Sequence, residues 1–258
     1  MSINLRRALL PALGLFAVVA SAPAFAAGGE ITIPKQSWSF QGPLGTYDRA
    51  ALQRGFQIYK EVCSACHAMS LVSYRNLTAL GFSDAEVKAI AASVEVQDKE
   101  PNDQGEYVMR PGRAADHFKS PFANEQASRA ANNGAYPPDL SLITKARVGG
   151  ADYVYALLTG YKPAPAGMTM PDGMNYNEYF LGHLIGMAAP LSDGAVTYAD
   201  NTPTTVPQLA KDVTTFLTWA AEPEMEQRKR LGVKVVLFLL LMTGVIFAWK
   251  RKVWKDLH

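Results

Sequence analysis

The chain has 258 residues, 48% of them hydrophobic and 19% charged, with a formal net charge of +2. That apolar content excludes a disordered polar chain, and the near-neutral balance gives no basic footprint for nucleic-acid binding. Only two cysteines are present, Cys63 and Cys66.

The amino terminus reads as an export signal. Arg6 and Arg7 form a short positive region, residues 8–20 are almost wholly apolar, and Ala24-Phe25-Ala26 places small residues around a cleavage site. Residues 1–26 are then a signal peptide and the mature chain starts at Ala27. The apolar run is too short for the roughly twenty residues that cross a bilayer, so cleavage is favoured over anchoring. The Arg6-Arg7 pair alone is a weak twin-arginine signal.

Residues 48–62 are predicted to be helical: Leu52, Phe56, Tyr59 and Val62 recur at helical spacing, and Thr46 or Asp48 can cap the start. This helix delivers Cys63-Ser64-Ala65-Cys66-His67, and C-x-x-C-H is the attachment signature of c-type haem. Side chains three and four positions apart share a helical face, so both thiols and the imidazole can address one planar ligand. A local disulfide, a redox pair and half a zinc site are the competing readings. The zinc reading lacks a second ligand pair at matching spacing.

Ser83-Asp84-Ala85-Glu86 is a capping box opening a short helix through Ala91, with Val87 and Ile90 inward. Residues 98–138 are rich in Pro, Gly, Asn and charge, which predicts loops with little regular structure and candidate haem walls. A helix is expected over residues 153–159, terminated by Gly160. Residues 161–205 should be irregular. Pro207 can start the last helix of the domain, whose Leu209, Val213, Phe216, Leu217 and Trp219 form an apolar band. Gly55 offers a place for close backbone approach, so the first and last of these helices are expected to cross there.

Residues 231–249 are apolar apart from Lys234, and Trp249 and Trp254 sit where aromatic belts lie, which predicts a transmembrane helix. The anchor is assigned to residues 228–250 and a short cytoplasmic tail to residues 251–258. Flanking Lys and Arg are balanced, so the export signal, and not local charge, orients the span. Between residues 27 and 227 lie 15 Lys and Arg against 22 Asp and Glu. The exported domain is therefore acidic, with Glu95, Asp98, Glu100, Asp103 and Glu106 concentrated in one run, and a basic partner is implied alongside simple solubility.

The second axial position of the iron separates an electron carrier from a binder or activator of small molecules. His117, His183 and His258 remain as histidine candidates, and Met109, Met168, Met170, Met174 and Met187 as methionines. Periodicity does not choose among them.

Further segments carry a resemblance. Arg129-Ala-Ala-Asn-Asn-Gly134, Pro137-Pro-Asp-Leu-Ser141, Gly149-Gly150-Ala-Asp-Tyr153, Leu158-Thr-Gly-Tyr161, Tyr176-Asn177 to Phe180, Ile185-Gly-Met-Ala-Ala-Pro190, Ala210-Lys-Asp-Val213 and Glu222-Pro223 with Arg228-Lys-Arg230 follow the haem signature in order. With these the chain resembles the cytochrome c1 family, in its bacterial form, the haem subunit of ubiquinol–cytochrome c oxidoreductase, the cytochrome bc1 complex. The resemblance implies a mainly α protein, a class I cytochrome c-like haem domain with long loop insertions over residues 27–227, plus one C-terminal transmembrane helix. It implies one covalently attached haem c, with His67 and Met187 as iron ligands and Arg129 as a candidate partner of a haem propionate. Pro137 and Pro138 would wall the haem. Some bacterial members carry an extra cysteine pair bracing the loop before the ligand methionine; that pair is absent here, so packing must hold residues 161–187.

The implied function is one-electron relay from a Rieske iron–sulfur protein to a soluble or membrane-tethered cytochrome c, beside cytochrome b. The chain would sit in the inner membrane as a single-pass protein with the haem domain on the periplasmic side and the C-terminus cytoplasmic. No substrate bond changes on such a subunit. A haem enzyme would instead keep one axial position open, with His117 or His183 as distal acid or base. A structural membrane subunit with a vestigial haem is a second alternative. A tethered shuttle would need a long flexible linker, whereas residues 207–230 point to a helix running almost directly into the anchor.

Overall fold

The computed structural model describes residues 31–98 and 100–255, and the export-signal reading of residues 1–26 lies outside them, as does His258. Helix α1 spans Arg49–Glu61, and the Asp48 carboxylate caps it by accepting from the backbone N–H groups of Ala50 and Ala51. Its buried stripe is Ala51, Leu52, Gly55, Phe56, Ile58 and Tyr59. Helix α6, Val206–Ala221, carries Pro207 in its first turn and is buried from Leu209 to Ala220 except at Lys211. A helix buried on nearly every side, Asp212 and three threonines included, lies at the centre of the fold.

The two helices cross at Gly55, as the sequence predicts. A Cβ there would stand 2.2 Å from the Asp212 carbonyl oxygen and 2.7 Å from Phe216 Cβ, so only glycine admits this contact. Beside the crossing, Arg54 grips the buried Asp212 carboxylate through Nε at 2.8 Å and Nη2 at 3.0 Å, and reaches Asp200 through Nη1 at 2.8 Å. Phe56, Tyr59, Phe118 and Phe216 pack as an aromatic cluster around α1 and α6.

The chain between these helices is shorter in its elements. Two 3₁₀ turns cover Cys63–Ala65 and Tyr74–Leu80, and α2 runs over Asp84–Ala92 with the predicted capping box on Ser83 and Glu86. Strands β1 (Glu95–Gln97) and β2 (Met109–Pro111) pair antiparallel, and α3 covers Glu125–Ala131. Residues 98–138 are thus less irregular than their composition predicts. The Asn124 side chain caps an alanine-rich turn, and the β2 pairing partner lies outside that window, where local composition cannot reveal it. Helices α4 (Ile143–Ala146) and α5 (Gly150–Thr159) follow, α5 starting three residues before its predicted start. Strands β3 (Asn175–Tyr176) and β4 (Leu184–Ile185) form the other two-stranded sheet. The fold is mainly helical.

Helix α7, Met225–Trp254, contains the apolar run and extends beyond it at both ends. Among the described residues it is the one helix long and apolar enough to cross a membrane, with mean hydropathy 2.5 over its most apolar window and none of that window buried. Residues 222–224, with Pro223, separate it from α6, so the last helix of the domain leads almost directly into α7, as expected, through a short corner. The corner is clamped. Tyr47 donates its hydroxyl to the carbonyls of Thr218 and Glu222, Glu226 accepts from Tyr47 N and Arg49, and Lys229 donates to the carbonyls of Phe40 and Gly45.

Gly55→Ala should destabilise the domain by about 2 kcal/mol or more through overpacking, lowering the thermal midpoint by roughly 4–8 °C in calorimetry. A second test is acid stability. Arg110 holds the Asp116 carboxyl down to about 2 through hydrogen bonds of 2.7 and 3.0 Å, burial opposing it and the Arg113 N–H assisting. The stabilisation is therefore complete above the ordinary carboxylate range and lost as pH falls towards 2, so Asp116→Asn should flatten the stability profile in that window, read by tryptophan fluorescence.

Candidate haem site

Helix α1 ends by feeding the chain into the 3₁₀ turn, where the backbone N–H groups of Cys66 and His67 both donate to the Cys63 carbonyl at 3.1 and 2.9 Å. One carbonyl therefore gathers the three residues of the attachment signature. Both cysteines are free thiols, Cys63 half-buried and Cys66 exposed. Burial, with Cys66 adding to it, pushes the Cys63 thiol up to about 12, so it stays S–H at neutral pH.

His67 Nδ1 lies 2.8 Å from the Pro138 carbonyl oxygen. A carbonyl can only accept, so Nδ1 carries the proton and Nε2 keeps its lone pair for a metal. Burial holds the imidazole below its ordinary range, outweighing the Pro138 carbonyl and Asp139, and the neutral ligand form prevails at neutral pH. Pro138 is itself fixed. The Asp139 carboxylate accepts from Ser70 N at 2.9 Å and Ser141 N at 2.7 Å, Leu140 N donates to the Ala68 carbonyl, and Leu71 N donates to Ser141 Oγ. These bonds zip residues 68–71 to residues 139–141.

The loop bearing Met187 reaches the same region. A Cβ at Gly186 would lie 3.4 Å from Ala135 Cβ and 4.0 Å from Met174 Sδ, so the loop rests on the segment that leads into Pro137 and Pro138. Met187 is half-buried, and the Tyr161 hydroxyl donates to its carbonyl at 3.0 Å. Asn177 is fully buried beneath the loop, donating through Nδ2 to the Leu157 carbonyl at 2.8 Å and accepting from Tyr179 N at 3.0 Å. Glu178 N donates to the Gly160 carbonyl, and β3 pairs with β4. Backbone-directed hydrogen bonds, together with the β3–β4 pairing, brace residues 161–187 where a disulfide is absent.

The remaining candidates fall elsewhere or are otherwise engaged. Arg129, at the end of α3, pairs with Glu125 at 2.7 Å, donates to the Gly134 carbonyl at 3.0 Å and lies over the Tyr136 ring. His117 is exposed and bridges Ser73 through its backbone. His183 adopts φ +62°, stacks on Tyr176 and sets Nδ1 3.2 Å from the Asn177 carbonyl. Met109 lies exposed on β2, and Met174 shares the Gly186 contact with the Met187 loop. Among the described residues no three His, Cys, Asp or Glu side chains converge on a metal position. Glu95, Glu100, Asp103 and Glu106 are exposed on and beside the β1–β2 hairpin, while Asp98 pairs with Arg110 at 3.2 Å.

The donor set fits a covalently held haem: two unpaired thiols, a neutral imidazole fixed through its far nitrogen, and a thioether-bearing loop braced against the segment that fixes the imidazole. Tyr161, Asn177 and Asp139 fall inside segments that carry the resemblance, but residue type alone gives none of them a role. Asp139 sits in Pro-Asp-Leu-Ser, a turn-forming pattern that could have flagged it, whereas the burial of Asn177 has no local signal.

Residues 38–257 match the model of the Cytochrome C1 family. The chain is 51% identical over 242 residues to a mitochondrial cytochrome c1-2, heme protein, of Solanum tuberosum, covering 94% of this chain and 92% of that one. It is 45% identical over 272 residues to cytochrome c1 of Rhodospirillum rubrum, covering 99% of each. It is 52% identical over 247 residues to cytochrome b/c1 of Bradyrhizobium diazoefficiens, covering 87% of this chain and 36% of that longer protein.

Tyr161→Phe removes the hydrogen bond to the Met187 carbonyl and should cost about 1 kcal/mol. With Met187 as the proposed iron ligand, its expected signature is loss of sulfur ligation at a lower temperature than in the parent chain, followed optically, with helix content unchanged by circular dichroism.

Proposed function

The chain belongs to the cytochrome c1 family, and we propose that it is the electron-carrying haem subunit of a cytochrome bc1 complex, taking electrons from a Rieske iron–sulfur protein and passing them to a soluble or membrane-tethered cytochrome c. The observation that carries this reading is the His67–Pro138 hydrogen bond, which leaves Nε2 as a neutral donor beside two free thiols. Cys63 and Cys66 would hold haem c through thioethers, each S–H adding across one vinyl group with no leaving group. His67 and Met187 would bind the iron. The bound haem supplies a one-electron iron couple.

Each protein group has a defined part. The Pro138 carbonyl orients the imidazole and keeps its proton on Nδ1. A methionine sulfur favours ferrous iron and raises the potential, which suits a late acceptor. Tyr161 and Asn177 hold the sulfur loop. Arg129 would pair with a haem propionate in exchange for Glu125, a bidentate match of guanidinium to carboxylate. The exposed acidic residues of the β1–β2 hairpin steer a basic cytochrome c.

The domain assignment follows: residues 27–227 form the exported haem domain, residues 228–250 the anchor and residues 251–258 a cytoplasmic tail. The haem domain lies on the periplasmic face of the inner membrane beside cytochrome b. The clamped α6–α7 corner supports an anchored relay over a shuttle on a flexible tether, because three residues separate the two helices and their flanks are bound to residues 40–49.

Mass spectrometry of the mature chain should show one added tetrapyrrole, lost in Cys63→Ala/Cys66→Ala; an unmodified parent chain would refute covalent attachment. Met187→Leu should lower the reduction potential and admit carbon monoxide, and an unchanged potential would reject the sixth ligand. Electron transfer to a basic cytochrome c should slow as ionic strength rises, and salt independence would remove the acidic docking face.

A further inference from the structure

A cavity of about 360 Å³ opens between α1, the end of α2 and residues 118–121. It touches the attachment turn only through Ser64 and Ala65, the two intervening positions, and none of Cys63, Cys66, His67 and Met187 lines it. The proposed relay leaves it unused. Its volume lies at the small end of the range for sites that take an organic molecule, which suits a ligand of one or two rings.

The lining joins two chemistries. Ile90, Val94 and Pro121 are half-buried and give an apolar wall, and the stacked rings of Tyr59 and Phe118, with centroids 5.7 Å apart, line it too. Lys60 and Lys119 are exposed members of the same lining, and among the described residues neither ammonium forms an ion pair. Carboxylates are not scarce in this domain, with 22 Asp and Glu against 15 Lys and Arg over residues 27–227. Two cations left without one beside an apolar wall therefore mark a place where an anion with an apolar body is complementary.

Tyr74 contributes a donor. Its hydroxyl accepts from Lys119 N at 3.4 Å, and among the described residues no acceptor takes its own proton. Burial holds the phenol above its ordinary range, so that proton stays in place at neutral pH. An inorganic anion would answer the ammonium groups and the phenol but leave the apolar wall in water, and a neutral hydrocarbon would do the reverse. We propose that the cavity binds a small aromatic carboxylate, its ring against Ile90, Val94 and Pro121 and its carboxylate paired with Lys60 and Lys119. The site stands independently of the haem assignment, since it uses none of the proposed thioether or iron-binding residues.

The test is isothermal titration calorimetry of 2-naphthoate into the full-length holoprotein in phosphatidylcholine nanodiscs, with empty nanodiscs as the blank. One saturable site is expected, and 2-naphthalenemethanol, which keeps the rings and lacks the charge, should bind about tenfold more weakly. K60Q/K119Q should weaken 2-naphthoate about tenfold and erase its advantage over the alcohol, as the loss of two exposed charge pairs requires. Tyr74→Phe, which leaves both ammonium groups in place, should weaken it about fivefold. K88Q, on α2 and outside the lining, should change nothing. Absence of saturable binding, equal affinity for the acid and the alcohol, or binding indifferent to K60Q/K119Q would overturn the proposal. A peptide ending in a phenylalanine carboxylate that binds where 2-naphthoate does not would also overturn it, giving the cavity to a partner chain.

Discussion

The Gly55 contact between α1 and α6 constrains everything else in the domain. With no side chain at that position the two backbones approach until Asp212 and Phe216 fill the space a Cβ would need. The Arg54–Asp212 pair locks the crossing, and its low exposure makes breaking it more costly than an ordinary surface pair. The attachment turn leaves the end of α1, and the corner to α7 leaves the end of α6. One packed crossing thus fixes both the C-x-x-C-H turn and the start of α7, so the proposed haem site is tied to the apolar helix by rigid elements.

The chemistry of the site is settled by small, local bonds on that frame. The Pro138 carbonyl decides which nitrogen of His67 keeps its proton, and burial keeps the ring neutral. Asp139 anchors the peptide that supplies this carbonyl, so its carboxylate shapes the ligand without touching it. On the opposite loop, Tyr161 and Asn177 restrain the approach of Met187. Hydrogen bonds to buried backbone groups replace a covalent brace here, and they localise stiffness around the two proposed ligands.

The elements that the sequence made legible are those with local signals. The α1 stripe, the Asp48 cap, the Ser83 capping box, Pro207 at the start of α6 and the long apolar run each follow from side-chain spacing or turn chemistry within a few residues. The β1–β2 hairpin was hidden because its strands are three residues each and pair across a polar excursion. Helix α3 was masked by the surrounding Gly, Pro and charge. The corner after α6 was marked by Pro223, yet its rigidity depends on Tyr47, Arg49 and Lys229 reaching across more than 170 residues of sequence. The candidate attachment turn was readable from five residues. The role of Pro138 was not, since a backbone carbonyl leaves no trace in residue type. Arg129 illustrates the converse: its motif was visible, while its pairing with Glu125 and Gly134 emerged only from the fold.

Membership in the cytochrome c1 family and the geometry around His67 both support the proposal of a closed, six-coordinate iron that passes electrons and leaves bonds alone. Iron-edge X-ray absorption on the purified full-length chain tests this most directly. The account predicts five nitrogen scatterers and one sulfur in both oxidation states, with the sulfur contribution removed by Met187→Leu. A first shell without sulfur, or one that loses it on reduction, would contradict the assignment on which the electron-relay function stands.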